Sequence, residues 1–221
     1  MRTLIVLSLL LACIPLLATP STLVYIPSTD IQPKGTLHLG ADTYMFLDGG
    51  NSATLTDIGL TYGVTNWFEV GADAISGVAG AKNPVWFNAK MLVLKPTKAL
   101  PLTVAVGGYN AAVKSKVSNQ GMLYGVASYP LPLGIRATAG GYTGQKSGLG
   151  EENSGYLLGL DKTLGKWWYG ADFQSGKNAV GAANVGIGYT IDDKTSVILG
   201  YDHYNLNALA NSVNFQVDIN L

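Results

Sequence analysis

The last nine residues of the chain, Val213–Leu221, read VNFQVDINL and decide the fold. Apolar and polar side chains alternate at every position of this stretch. In an extended strand, such alternation places all the apolar side chains on one face and all the polar ones on the other. The same period of two recurs in earlier segments, for example 167–174 and 184–191. The helical period is not sustained anywhere after residue 35, so the sequence predicts an all-β chain.

Twelve alternating segments follow one another between turn signals. Clusters of Gly, Asp, Asn and Pro separate them, and these residues are typical of tight turns. The alternation is blurred in the sixth and eighth segments, so counts of ten or fourteen strands stay open. The predicted strands are 35–47, 52–63, 67–76, 84–95, 101–112, 120–129, 133–143, 154–162, 167–175, 181–191, 195–204 and 211–221.

The charged residues indicate which face of this sheet meets water. Only 13% of the 221 residues are charged, against roughly 25% in soluble domains. Of the lysines and arginines after Arg2, Lys90 and Arg136 are the two that fall well inside predicted strands. A soluble barrel would need a charged exterior, so the apolar face is predicted to meet lipid. Segments of about 9–11 residues cross a bilayer when tilted, and a closed, antiparallel up-and-down barrel leaves no unpaired edge there.

Other classes of protein fit the composition poorly. After residue 20, no apolar run reaches the ~18 residues of a membrane helix. Hydrophobic residues make up 48% of the chain, which argues against disorder. The 14 basic and 14 acidic residues cancel, so nucleic acid is not an expected partner.

The N-terminal part of the chain divides into a leader and a short connecting segment. Residues 1–20, with an apolar core over Leu4–Leu17, have the layout of a cleaved secretory signal peptide. The single cysteine, Cys13, lies in this leader, so no disulfide is expected in the mature chain. The residues just before Cys13 leave open the alternative that the leader is a lipoprotein signal. Residues 21–34 are predicted to be a periplasmic lead-in or a small plug, and residues 35–221 the transmembrane barrel.

One hairpin carries a resemblance to a known group of proteins. The stretch Tyr62–Gly71, YGVTNWFEVG, is similar to a periplasmic hairpin of Gram-negative outer-membrane β-barrel proteins of the porin-like and small-transporter kind. The resemblance implies export through the periplasm to the bacterial outer membrane. It also implies small solutes, outer-membrane lipid, lipopolysaccharide and the barrel assembly machinery as partners. Such barrels usually end in an aromatic residue, and Leu221 departs from that pattern.

The inward face of the predicted barrel has an excess of acids. The inward acids are Asp42, Asp57, Glu69, Asp73, Asp172, Asp202 and Asp218, the inward bases are Lys90 and Arg136, and His38 lies on the same face. Centring the first three loops places Asp42, Asp57 and Asp73 in one row, which Lys90 ends. Such a row predicts a constriction that favours cations. A network of lumenal ion pairs that relieves the repulsion is the alternative interpretation.

The function predicted from these features is a narrow, cation-favouring channel for passive diffusion of small solutes. No enzyme activity and no catalytic, cofactor or metal site is predicted. The two histidines, His38 and His203, have no serine two residues away, and His203 points away from its neighbour Asp202. Two alternatives stay open, a closed barrel with a structural or anchoring role and, less favoured, a lipid-active hydrolase. The sequence identifies neither the solute nor the oligomeric state.

Overall fold

The structure is a computed structural model that describes residues 21–47, 54–77, 85–112 and 120–221. The predicted signal peptide, residues 1–20, lies outside the described residues. Among the described residues, no helix is both long enough and apolar enough to cross a membrane.

Twelve antiparallel strands, all within the described ranges, form one closed barrel. Each strand pairs with its neighbours in the sequence, and β1 closes the sheet by pairing with β12. The strands are β1 Leu37–Phe46, β2 Thr54–Thr65, β3 Phe68–Ser76, β4 Val85–Leu94, β5 Thr103–Ala112, β6 Met122–Pro130, β7 Ile135–Gly144, β8 Ser154–Leu164, β9 Trp167–Gln174, β10 Ala182–Thr190, β11 Thr195–Tyr204 and β12 Ser212–Asn220. A short 3-10 turn, Pro132–Gly134, and a one-turn helix, α1 Lys146–Leu149, lie in two of the connections. The prediction of a twelve-stranded up-and-down barrel is confirmed.

The alternation of side chains explains why these segments are strands. In β12, the inward Asn214 and Gln216 are buried, whereas the outward Phe215 is 43% exposed. The outward Tyr169 of β9 and Val185 of β10 are exposed in the same way. Apolar side chains thus form the outer face, and polar ones line the inside. A closed barrel with this arrangement is a transmembrane barrel.

Short turns form most of the connections at the end of the barrel where the chain enters β1, which we call the turn end. In the turn before β11, the backbone N–H groups of Lys194 and Thr195 each donate to Asp192 Oδ1 at 2.9 Å. These hydrogen bonds hold the pKa of the Asp192 carboxyl below its ordinary value. Trp67 and Trp167 stand exposed beside two other turns, where aromatic side chains suit a membrane interface. The opposite end is called the loop end.

The register of the first three strands differs from the predicted row of acids. Asp42 pairs with Asp57 across β1 and β2, as the first hairpin predicts. Asp73, however, pairs with Gly59 rather than with Asp57. The reason is that β2 extends to Thr65 with a bulge, so the hairpin turns later than the sequence indicates. Asp73 is therefore a diagonal neighbour of Asp57.

The predicted pairing of Lys90 with Asp73 is wrong. The pairing of β3 with β4 starts at Ala74 and Val85 on the loop side, which displaces β4 by four residues from the prediction. Lys90 consequently lies opposite Glu69. The expected row of four charges is replaced by a carboxylate pair, a diagonal carboxylate and a separate ion pair.

Residues 21–34, called here the lumenal segment, turn back on themselves inside the barrel. The N–H of Leu23 donates to the carbonyl oxygen of Ile26 at 2.8 Å, which closes a tight turn. Both side chains are fully buried, and they pack in an apolar cluster with side chains of β5, β6, β7 and β8, Leu157 among them. The segment therefore fills the side of the lumen that these four strands bound.

The destabilisation caused by a charged residue on the outer face of the barrel is expected to depend on the depth of that residue in the bilayer. Leu158 lies in the middle of β8 and Leu164 ends it, and both side chains are exposed on the outer face. We expect Leu158→Arg to lower the free energy of unfolding by about 2–4 kcal/mol and Leu164→Arg by about 0–1 kcal/mol, because a charge costs most at the bilayer midplane. Denaturant titration of the protein folded in lipid vesicles measures both values. Equal costs at the two positions would contradict the assignment of this face to lipid.

Candidate functional site in the barrel lumen

One carboxylate on β9 holds the turn of the lumenal segment. Asp172 Oδ2 accepts the backbone N–H groups of three consecutive residues, Val24, Tyr25 and Ile26, at 2.8, 2.8 and 3.3 Å. Its other oxygen accepts a hydrogen bond from Asn184 Nδ2 at 2.7 Å. Asp172 is 5% exposed, and hydrogen bonds to an ionised acceptor are stronger than those between neutral groups. Asp172 therefore fixes the position of the segment's turn.

An ion pair between β3 and β4 holds both ends of the lumenal segment. Lys90 Nζ lies 3.1 Å from Glu69 Oε1 and donates to the carbonyl oxygen of Ser21 at 3.2 Å. Ser21 Oγ donates to Glu69 Oε1 at 3.0 Å, and the N–H of Gln32 donates to Oε2 at 2.6 Å. Glu69 and Lys90 are both buried, and these hydrogen bonds offset the cost of burying their charges. This ion pair lies near the turn end of the lumen, where Glu69 is the second residue of β3.

Arg136, on β7, links the lumenal segment to β8. Its Nη1 donates to Asp30 Oδ1 at 2.7 Å, and its Nε donates to Asp161 Oδ1 at 2.8 Å. Asp30 and Asp161 are both missing from the predicted set of lumenal acids. Asp30 precedes the first strand, and Asp161 lies in β8, where the inward-facing, fully buried Leu157 blurs the alternation. The signal that identifies Asp161 is its spacing in β8. It lies an even number of residues after the inward Leu157, so it points to the same face.

Two further inward acids, Asp202 and Asp218, bond to the barrel wall. Asp202 accepts hydrogen bonds from Ser212 Oγ at 2.6 Å and Asn214 Nδ2 at 2.7 Å. Asp218 Oδ1 lies 3.1 Å from His38 Nε2. The partners lie on β11, β12 and β1, so these contacts stabilise the strand pairs at the closure of the barrel.

A cavity of about 550 Å³ lies beside the lumenal segment. Its walls are chiefly the inward faces of β1 to β4, together with one side of the segment that includes Tyr25, and residues of β5, β6, β11 and β12 line its margins. It reaches from Gly77 and Leu209 near the loop end to Glu69 and Lys90 near the turn end. Cavities of this size are typical of small-molecule sites. The lumen is thus filled on the side of β5 to β8 and open on the side of β1 to β4.

Three carboxylates line the open side of the lumen, and we call Asp42, Asp57 and Asp73 the carboxylate cluster. Directly paired residues have Cβ atoms about 4.5–5.5 Å apart, and diagonal neighbours are roughly 7–8 Å apart. Asn88 Nδ2 donates to Asp73 Oδ2. Asp57 Oδ1 is buried and has no hydrogen-bond partner in the part of the chain that the structure describes. The cluster therefore presents carboxyl oxygens whose hydrogen-bonding capacity its neighbours satisfy only in part.

Aromatic rings line the same cavity. Tyr25 of the lumenal segment meets Tyr44 and Tyr204 edge to face, with ring centroids 6.2 and 6.5 Å apart. Phe46 and Tyr204 lie 5.9 Å apart. Tyr44 is two residues from Asp42 on the inward face of β1. Rings from the wall and from the segment thus stand beside the carboxylate cluster.

Comparison with known proteins finds relatives in structure alone. Neither a family model nor a curated protein sequence matches the chain. A solved structure of KdgM porin, in complex with disordered oligogalacturonate, is 10% identical with a TM-score of 0.56, over 84% of this chain and 97% of that chain. NanC porin is 11% identical with a TM-score of 0.52, over 83% of this chain and 98% of that chain. The chain has the fold of an outer-membrane porin.

The porin fold confirms the predicted resemblance to porin-like outer-membrane barrels. A third solved structure, outer membrane phospholipase A from Escherichia coli, is 12% identical with a TM-score of 0.49, over 87% of this chain and 94% of that chain.

The two histidines lie in different surroundings. Both ring nitrogens of His38 have hydrogen-bond partners, Asn220 at 3.0 Å and Asp218 at 3.1 Å. His203 is exposed on the outer face, whereas Asp202 is buried on the inner one. The predicted separation of these two neighbours is confirmed.

Removal of the Asp172 carboxylate tests how the lumenal segment is held. We expect Asp172→Ala to accelerate amide hydrogen exchange at Val24, Tyr25 and Ile26 by about ten- to a hundredfold, because these donors lose a charged acceptor worth about 1.5–3 kcal/mol. Hydrogen exchange followed by mass spectrometry measures the rates. Asp202→Ala is the matched control, since it removes a buried acid whose partners lie on the wall. Unchanged exchange in Asp172→Ala would show that other contacts hold the segment.

Proposed function

We propose that the protein is a narrow channel of the bacterial outer membrane through which small solutes diffuse passively, with a preference for cations. The carboxylate cluster of Asp42, Asp57 and Asp73 on the wall of the cavity carries this proposal. In cation channels, acidic side chains that line the pore select positive solutes. The porin fold and the open side of the lumen support passage, and the cluster supports selection by charge.

The inward bases do not neutralise the carboxylate cluster. Lys90 pairs with Glu69 at 3.1 Å, and Arg136 pairs with Asp30 at 2.7 Å and Asp161 at 2.8 Å. Like charges on paired strands destabilise a sheet, and a positive solute between them removes that cost. This arrangement favours the selective channel over a lumenal network of ion pairs in which Lys90 and Arg136 relieve the cluster.

The lumenal segment sets the width of the proposed passage. Twelve strands lie between the filled barrels of about eight strands and the water-filled porins of about sixteen. The segment occupies the side of β5 to β8, so solutes would follow the wall of β1 to β4. The narrowest point is then the turn end, where Ser21 bonds to Glu69 and Lys90.

The same contacts at the turn end favour a second candidate function, a closed structural or anchoring barrel. Ser21, Glu69 and Lys90 lie at the end of the cavity, and the segment occupies one side of the lumen. A folded protein that inserts into bilayers and passes no ion current would have this role. Lipopolysaccharide and the barrel assembly machinery are predicted partners under either function.

Neutralising the carboxylate cluster tests the proposed selectivity. We expect the triple variant Asp42→Asn, Asp57→Asn and Asp73→Asn to lose most of its cation preference. Each carboxylate that is removed lowers the attraction between the wall and a nearby cation by about 1 kcal/mol in water. That free energy corresponds to about a fivefold fall in the cation-to-anion permeability ratio for each charge. Reversal potentials of single channels in planar bilayers under a KCl gradient measure this ratio.

Asp202→Asn is the control for this experiment. It removes a lumenal charge that Ser212 and Asn214 already engage, so its reversal potential should stay close to that of the wild type. Heat-dependent migration in gel electrophoresis verifies that each variant forms a barrel. A triple variant with the wild-type reversal potential would refute selection by the carboxylate cluster.

A further inference from the structure

The cavity combines carboxylates with aromatic rings, and the two together narrow the class of solute. We propose that it binds amphipathic organic cations, small molecules with an ammonium group on an apolar or aromatic body. This inference rests on the proposed channel function and names its solute class.

The carboxylates that could bind the ammonium group of such a molecule lie on β1 itself and on the strands at both of its sides. Asp57 lies opposite Asp42 on β2, and Asp73 is the diagonal neighbour on β3. On the other side, Asp218 of β12 lines the same cavity and is 5% exposed. The Oδ1 atom of Asp218 contacts His38 Nε2, whereas its Oδ2 atom has no hydrogen-bond partner among the described residues. A buried carboxylate oxygen without a partner is costly, and an organic cation beside it lowers that cost through its opposite charge.

A ring lies next to each end of the carboxylate cluster. Tyr44 follows Asp42 by two residues on the inward face of β1, a separation of about 7 Å along a strand. Trp86 of β4 is the direct partner of Asp73 on β3. A paired position brings Cβ atoms within about 4.5–5.5 Å, and both residues line the cavity. A cation held by the cluster therefore has a ring within reach at either end.

The lumenal segment adds a ring of its own. Tyr25 stands edge-on to Tyr44 and Tyr204 at 6.2 and 6.5 Å, and Asp172 fixes its backbone at 2.8 Å. Ring faces attract organic cations, and the attraction is stronger in a desolvated site than in water. Oxygens alone would serve an inorganic ion, whereas this wall also matches the apolar body of an organic one.

The size of the cavity fits such a molecule. About 550 Å³ lies within the range of roughly 300–1,000 Å³ that small-molecule sites occupy. The carboxylates and rings occupy neighbouring strands, so one compact molecule meets both chemistries at once.

Binding to the refolded full chain in detergent micelles tests this inference without requiring conduction. The probe is benzyltrimethylammonium, measured by isothermal titration calorimetry. We expect saturable binding of this cation, and no measurable binding of the neutral benzyl alcohol or of the anion benzenesulfonate at the same concentrations.

Variants separate the two chemistries. Asp42→Asn combined with Asp57→Asn should weaken binding of benzyltrimethylammonium by about five- to thirtyfold, and Tyr44→Leu alone by about three- to thirtyfold. Trp86→Leu is a second ring variant if Tyr44→Leu does not fold. Tyr156→Leu removes a ring on the outer face, where the side chain is exposed, and should leave binding unchanged.

Three outcomes would decide the question. Ring variants that bind as tightly as the wild type would overturn the inference, because the cavity would then be a site for cations in general. A folded, cation-favouring channel that binds no benzyltrimethylammonium would also overturn it and leave the channel function intact. Specific binding without any ion current would support the site and refute the channel.

Discussion

The hydrogen bonds from three consecutive backbone N–H groups to Asp172 are the constraint on which the lumen depends. A segment of chain that enters a barrel brings buried donors, and each of them needs an acceptor. Asp172 accepts those of Val24, Tyr25 and Ile26 at 2.8–3.3 Å, and Glu69 accepts that of Gln32 at 2.6 Å. An unsatisfied buried donor costs about 1–3 kcal/mol. The acids of the wall therefore set the position of the lumenal segment, and apolar packing on the side of β5 to β8 completes it.

Apart from Asp202 and Asp218, which bond to the barrel wall, the acids of the lumen consequently divide into two groups. One group bonds to the lumenal segment, directly or through Arg136, and keeps it on one side of the barrel. The other group, the carboxylate cluster of β1, β2 and β3, faces the space that this position leaves open. In the channel that we propose, the filled side makes the passage narrow without closing it, and the wall opposite the segment selects the solute by charge. The aromatic rings between the two sides suit the organic cations that we propose as solutes better than a purely acidic pore would.

The sequence predicts the barrel well because alternation assigns each strand residue to a face. Register is less accessible, since a small shift in a turn changes every pair along the hairpin, as the diagonal placement of Asp57 and Asp73 shows. The lumenal segment has no periodic pattern, and its anchor Asp172 lies more than 140 residues away, so local patterns cannot reveal the contact. Asp161 is concealed by Leu157, an apolar residue that faces inward because it packs in the cluster that includes the lumenal segment. Such departures from alternation occur where the chain fills its own lumen.

The division of the lumen into a filled side and an open side decides whether solutes can pass. It is tested most directly by the reaction of introduced cysteines with a water-soluble, positively charged thiol reagent, in a protein with Cys13→Ala. Leu55→Cys places the thiol on the wall of the cavity, and Leu157→Cys places it in the apolar cluster beside the lumenal segment, where the side chain is 0% exposed. We expect the reagent to modify the Leu55→Cys protein, to lower its single-channel current and to leave the Leu157→Cys protein unmodified. Equal reaction at both positions, or modification of the Leu55→Cys protein without a change in current, would contradict this expectation.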